Sequence, residues 1–291
     1  MATGTLQPIP APLGIIDAHA GLLTLPPAGQ LLTKVMKVEH LLASIAGNYL
    51  HCNRVDSYAD FPDADPHDGQ HLPADQAANT AAHFERAPAF TAATYYDQCR
   101  ARTYACCFAL GNPDHVWRNY ANGGRHGKVG VVFDFQQLRA QLNRHLAPGQ
   151  AQLLYQGIAC KQIFSVNYGV VSYVDWDRQT ANEQHLPNPI AYTYLKAERF
   201  RPEQELRVSL SAIGIGNFAL HDGQFIEFPA SLQAPFDFRA AIADGTIRQI
   251  LIGPDCDGPF LQAELAKFGI APAPGSDGVA VDPVLEPPPS T

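Results

Sequence analysis

The sequence predicts an α+β fold: a single mixed domain with a central, largely antiparallel sheet flanked by helices. Three observations predict it. Apolar runs of strand length dominate the middle of the chain, amphipathic helical stretches recur between them, and no segment repeats. The ordered domain is expected over residues 31–270. Residues 1–30, rich in Pro, Ala and Gly, read as an irregular leader, partly packed through Leu13-Gly14-Ile15-Ile16. Residues 271–291, APAPGSDGVAVDPVLEPPPST, have the low-complexity composition of a disordered tail.

Within the domain, LLTKVMKV, from Leu31, is a short strand candidate. In VEHLLASIAGNYL, Val38, Leu41, Leu42, Ile45 and Ala46 fall on one helical stripe. Leu50 to Val55 reads as a second strand. A polar stretch rich in Asp, His and Pro follows, running for about thirty residues to Phe90; loops this long are functional or mobile. Thr94 to Arg102 reads as helix. Tyr104 to Leu110 is an apolar strand, and Gly111-Asn112-Pro113-Asp114 is strong turn chemistry. Asp114 is placed to cap a short helix carrying Trp117 and Tyr120, three apart and so on one face. Asn122-Gly123-Gly124 ends that helix, and Val129 to Phe135 is the next strand.

Phe135 to Leu146 is a well-patterned amphipathic helix ended by Pro148-Gly149. Strand-like runs cover Leu153–Ile158 and Val166–Trp176. A polar loop, Asp177–Pro189, leads to a helix over Ile190–Phe200, broken by Pro202. EQELRVSLSAIGIG alternates as a strand. His221-Asp222-Gly223-Gln224 marks a hairpin inside Phe218–Phe228. Phe236–Asp244 reads as helix, Ile247–Ile252 as a buried strand, and Pro259–Gly269 as a helix with a Gly cap.

Composition narrows the function classes. Only 16% of residues are charged and the net charge is −8. An acidic chain without a basic stripe argues against nucleic acid as a main partner, but a nucleotide ligand needs only a local site. No apolar run approaches the roughly 18–20 residues of a membrane span. The N-terminal MATGTLQPIPAPLG lacks a basic n-region and a long apolar h-region, so a cytoplasmic protein without a secretory signal is expected. Cys52, Cys99, Cys106, Cys107, Cys160 and Cys256 contain no C-x-x-C pair and read as reduced thiols acting as small hydrophobes.

Three stretches carry candidate chemistry. In Glu203-Gln204-Glu205-Leu206-Arg207-Val208-Ser209-Leu210, strand parity puts Glu203, Glu205, Arg207 and Ser209 on one face and the leucines and valine on the other. Carboxylates so placed can stabilise an oxocarbenium-like centre or act as acid and base, or they form a solvated face of weak ion pairs. Asp63, Asp65, His67, Asp68 and His71 are metal-ligating types, but Asp68 stands where a calcium loop needs Gly, and a solvated acidic loop competes with a metal site. No metal is expected. Gly123-Gly124-Arg125-His126-Gly127-Lys128 could cradle a phosphate through backbone N–H groups, or be a plain connection. It is neither a Walker A nor a Rossmann sequence. Trp117 and Tyr120 could stack on a flat ring, or belong to the core.

Cys107-Phe108-Ala109, Val116-Trp117-Arg118-Asn119-Tyr120-Ala121 and Gly130-Val131-Val132-Phe133-Asp134 together resemble the bacterial domain-of-unknown-function family twenty-nine seventy-one. Ala64-Asp65-Pro66-His67-Asp68 upstream, and Lys196, Phe200, Glu203, Glu205 and Arg207 downstream, follow the same pattern in the same order. The resemblance covers about Leu31 to Ile252. Ala109, Ala64 and Asp68 depart from the Ser, Asn and Glu of the family pattern. The layout is in turn similar to ADP-ribosyltransferase-like proteins, which implies cleavage of the nicotinamide–ribose bond of NAD and a place in bacterial conflict or phage defence. By that analogy Glu205 is the catalytic carboxylate and Glu203 positions the acceptor. Trp117 or Tyr120 stacks on nicotinamide beside Phe108, and Arg54 or Arg207 meets phosphate. Two readings from other classes stand beside it: a non-catalytic module binding a nucleotide or peptide, and a metal-dependent hydrolase using Asp63, Asp65, His67 and His71. No protein partner can be named from the sequence.

Overall fold

The computed structural model describes residues 23–60, 64–85, 87–146, 153–160, 164–179, 189–212, 218–270 and 280–283. Strand Leu31–Lys37 (β1) leads through helix Val38–Gly47 (α1) to strand Tyr49–Arg54 (β2). A 3-10 turn over Val55–Asp60, helix Pro73–Ala81 (α2), the short pair His83–Phe84 (β3) and Ala87–Thr91 (β4), and helix Ala92–Arg100 (α3) follow. The centre is Thr103–Leu110 (β5), Asp114–Asn119 (α4), Lys128–Asp134 (β6) and Phe135–His145 (α5). Then come Leu154–Tyr155 (β7), Ile158–Ala159 (β8), Phe164–Val170 (β9) and Ser172–Val174 (β10). Leu195–Ala197 (β11) lies between 3-10 turns at Pro189–Tyr194 and Glu198–Glu203, and Glu205–Ala212 (β12) follows. The chain continues with Phe218–Ala219 (β13), Phe225–Ile226 (β14), Ser231–Pro235 (β15), Phe238–Ala243 (α6), Ile247–Ile252 (β16), Gly258–Lys267 (α7) and Ala280–Pro283 (β17).

The main sheet has 11 strands, ordered β17-β16-β6-β1-β5-β2-β15-β7-β8, with β12 on β5 and β9 on β12. Its described pairings are antiparallel except β16–β17. This is the α+β architecture that strand and helix alternation predicts, with helices flanking one large antiparallel sheet. Period-2 alternation sets the faces. Tyr104, Cys106 and Phe108 of β5, and Leu206, Val208 and Leu210 of β12, enter one core with Leu32, Phe133, Leu41 and Ile45 of α1, Leu138 and Leu142 of α5, and Leu261 and Leu265 of α7. The opposite face carries Ala105, Cys107, Glu205, Arg207 and Ser209.

One irregularity positions the site. β12 pairs with β5 from Thr103 to Ala109, and so occupies one edge. The other edge is shared. β1 pairs only at Ala109 and Leu110, and β2 only at Tyr104 and Ala105. Between them β1 and β2 diverge, bridged by α1, and the edge of β5 at Cys106 to Phe108 faces a gap in the sheet.

Several expectations are corrected. The long polar stretch after Val55 is not one loop: it holds the 3-10 turn, α2 and the β3–β4 pair, and Arg100 fastens it by donating to the carbonyl of Asp68 at 2.6 Å. α2 is Ala-rich and polar, so it lacks the apolar stripe that would announce it. Ile190–Phe200 is not a helix. Tyr194 and Lys196 are drawn into tertiary hydrogen bonds, Tyr194 donating to the carbonyl of Asn167, and these override local propensity. Pro113, not Asp114, is the N-cap of α4, and Tyr120 has left the helix with extended backbone (φ −110°, ψ 157°). Glu203 lies outside β12, in the preceding 3-10 turn. Part of the expected tail, Ala280–Pro283, runs parallel beside β16. At the other end, Leu23 packs with Ile190 and Tyr194, and Thr24 bridges to Val170. Leu13–Ile16 and Pro148-Gly149 lie outside the described residues.

Candidate functional site

The polar face of β12 does not meet water. The loop carrying Asp65 and Asp68, and the segment from Pro189 to Glu203, form a second layer over it. That layer has its own small core of Leu72, Tyr96, Trp176, Tyr192 and Leu195. Arg207 is 0% exposed beneath it. A guanidinium so placed requires full compensation, and it has it. Nη1 and Nη2 donate to Asp68 Oδ1 and Oδ2 at 2.6 and 2.9 Å in a bidentate fork. Nε and Nη2 donate to Glu205 Oε1 and Oε2 at 2.7 and 3.0 Å, and Nη1 also donates to the carbonyl of Thr193 at 2.6 Å.

Lys196 extends the network. Its Nζ donates to Glu205 Oε2 at 3.1 Å and to Glu203 Oε2 at 2.5 Å. The hydroxyl of Tyr120 donates to Glu203 Oε1. Gln204, between the two glutamates, adopts a left-handed conformation (φ +47°), and Glu203 stays beside Glu205 through this turn and their shared bonds to Lys196 rather than through strand pairing.

The carboxylates are electrostatically unequal. Burial opposes ionisation of Glu205, but Arg207 and Lys196 outweigh it and hold the carboxyl well below its ordinary value. Burial, reinforced by the charge of Glu205, raises Glu203 despite Lys196. Lys196 is raised: burial works against its charge, and Glu205, Asp68 and Glu203 overcome that. Burial and the charge of Glu205 push the Cys107 thiol up, so it stays neutral and is no nucleophile.

These groups close one end of a cavity of about 550 Å³, within the range of roughly 300–1,000 Å³ typical of small-ligand sites. Its walls come from both sides of the gap in the sheet. Glu203, Glu205, Arg207, Lys196, Asp68 and Tyr58 lie at one end; Lys34, Lys37, His40, Ser44 and His51 belong to β1, α1 and β2. The carboxylates, with Arg207 and Lys196 among them, thus come from the β12 side of β5, and Lys34, Lys37, His40 and His51 from the β1, α1 and β2 side.

Of the residues singled out in the sequence, Glu203, Glu205, Arg207, Tyr120 and Phe108 line this cavity. Arg207 has its donors engaged by protein groups and is not positioned to take a phosphate. Trp117 is apart from the cavity: it packs with Ala109, Val116, Val132 and Leu251, and its Nε1 donates to Asn112 Oδ1 at 2.5 Å. Arg54 is also outside, donating to Asp56 at 2.5 Å and to the carbonyl of Phe228. The Gly123–Lys128 segment is a connection. Lys128 donates to the carbonyl of Trp117 and to Asn122, His126 stacks on Phe260, and Gly127 abuts the carbonyl of Asp255. The metal-type residues are dispersed. His67 stacks on Trp176 and His71 bonds Asn79, Asp68 serves Arg207, and Asp63 lies outside the described residues. Among the described residues no group of three or more His, Cys, Asp or Glu is placed to hold a metal ion.

Sequence reasoning missed Asp68 as the partner of Arg207, because only the fold joins positions 139 residues apart. It also passed over Lys34, whose signal was present: in LLTKVMK, Lys34 shares a face with Leu32 and Met36, both buried, so a cation stands on the apolar side of a strand. No described helix is long and apolar enough to cross a membrane. Set against protein families, curated proteins and solved structures, the chain matches none of them.

Proposed function

We propose that the chain is a nucleotide-processing enzyme of the ADP-ribosyltransferase-like kind, cleaving the nicotinamide–ribose bond of NAD. The observation that carries this reading is a cavity lined by a buried carboxylate pair, Glu203 and Glu205, from the β12 side of β5 and by Lys34 and Lys37 from the β1 side. Departure of nicotinamide breaks the C1′–N bond. The electron pair stays with the ring nitrogen, nicotinamide leaves neutral, and positive charge develops on the ribosyl C1′ and ring oxygen. Carboxylates beside that carbon stabilise the charge in a site shielded from water. Glu205, held ionised by Arg207 and Lys196, supplies standing negative charge. Glu203, bonded among the described residues by Tyr120 and Lys196 and raised in pKa, is the better base of the two. It takes the proton of the attacking water or acceptor hydroxyl, and C1′–O forms. The sequence analogy gives these two roles differently; the bonding of Glu205 by Arg207 is the reason to exchange them.

The test is release of nicotinamide from NAD by the purified chain and by Glu203→Gln, with thermal melting of both. The expected outcome is release by the parent and a loss of roughly 10²–10⁴-fold in a folded variant. Unchanged release in Glu203→Gln would overturn its role, and absence of both release and NAD binding would overturn the reading. The saturation of Arg207 and Glu205 favours a second reading, a nucleotide-binding module without turnover. Binding of NAD with no release under any acceptor tried would support that instead.

A further inference from the structure

Lys34 lines the cavity and has no role in the bond cleavage. Its Nζ donates to the carbonyl of Cys107 at 3.0 Å, in the gap where β5 has lost a strand partner, and lies 5.3 Å from the centre of the Phe108 ring. No carboxylate comes within ion-pair distance of it among the described residues. An ammonium carries three donors, and the Cys107 carbonyl and the Cys106 sulfur account for two of them. Burial works against its charge, but Cys106, whose thiol is lowered to about 6 by hydrogen bonding from Cys52 and by Lys34, holds it protonated. Lys37, His40 and His51, from β1, α1 and β2, line the cavity too. With no carboxylate beside it, Lys34 keeps a donor for an anionic ligand in the cavity.

We propose that the gap between β1 and β2 seats the diphosphate group of the ligand, with Lys34 as its principal contact. This rests on the nucleotide reading above for the identity of the ligand, but not for the existence of the anion seat. Placed there, the diphosphate lies on the opposite side of the gap from Glu203 and Glu205. Its charge is then kept from the carboxylates, and the ribosyl carbon is directed toward them.

The experiment is calorimetric titration of the full chain with inorganic pyrophosphate, ADP-ribose and adenosine, repeated with Lys34→Met and Lys34→Arg. Loss of a charged contact predicts that Lys34→Met weakens pyrophosphate and ADP-ribose by roughly tenfold or more while Lys34→Arg retains most of the affinity. Adenosine, without phosphate, should respond to neither. ADP-ribose binding much more tightly than pyrophosphate would identify a dinucleotide as the source of the diphosphate; equal affinities would identify a free diphosphate. Pyrophosphate binding unchanged by Lys34→Met, or no binding to the folded parent, would overturn the proposal. Nicotinamide release is measured on the same samples and separates the two claims. Release with an indifferent Lys34 sinks only the anion seat, and a Lys34-dependent diphosphate site without release sinks only the NAD reaction.

Discussion

Arg207 decides whether the carboxylate side of the cavity holds together. Its guanidinium holds two carboxylates from separate parts of the chain, Asp68 in the covering loop and Glu205 on the strand. Removing it leaves both buried without their strongest partner. Arg207→Met should therefore destabilise the fold by about 3–5 kcal/mol, the range for breaking one side of a buried ion pair. Denaturant unfolding monitored by tryptophan fluorescence checks this, and a loss under about 1 kcal/mol would mean that the network is not structural. The parity of Glu205, Arg207 and Ser209 was legible in the sequence because a strand has a fixed period. Their burial was not. Nothing in EQELRVSL tells that Asp68 and the Pro189–Glu203 segment close over it, since burial depends on contacts remote in the chain. For the same reason Trp117 and Tyr120, equivalent in sequence, part company: one fills the sheet face and the other reaches Glu203.

At the scale of elements, regular structure was read well where pattern and packing agree. β5, β6, β12, α5 and the Asp222-Gly223 hairpin all lie where the alternation, stripe or turn chemistry puts them. Elements held by tertiary hydrogen bonds, such as the turns flanking β11, or by little apolar surface, such as α2, were not. Gly130 of β6 illustrates what an element can hide. A Cβ there would come within 2.6 Å of the Trp117 ring, so the strand accepts the indole only because the position is glycine. Gly130→Ala should cost about 1–3 kcal/mol through overpacking. It should also shift the tryptophan emission, because Trp117 has to move. A variant as stable as the parent with an unaltered spectrum would show that α4 yields freely. The divergence of β1 and β2 had no sequence signature beyond Lys34, because register is a property of two strands and not of one.

At the scale of the whole molecule, the ion network couples stability to pH. Asp68, Glu203 and Glu205 face Arg207 and Lys196, so full ionisation leaves a surplus negative charge in a buried place. Glu203 and Glu205 then act in opposite senses. The folded pKa of Glu205 is depressed, so its contribution is present above the ordinary carboxylate range and is lost as pH falls toward the folded value. The folded pKa of Glu203 is raised, chiefly by burial, so its contribution is complete below that ordinary range and is lost as pH rises through the folded value. Gln at position 203 cannot titrate, yet its amide oxygen can still accept from Lys196 or Tyr120. The stability of the parent minus that of Glu203→Gln should therefore fall as pH rises from the ordinary carboxylate range toward neutrality, even where overall stability rises. Urea unfolding of both chains across that interval, at constant ionic strength, measures the difference directly. A difference independent of pH would mean that Glu203 ionises as an ordinary carboxylate, and would remove the electrostatic ground for making it the base. A falling difference would place proton uptake at the same residue that the cavity presents to the ribosyl end of the ligand.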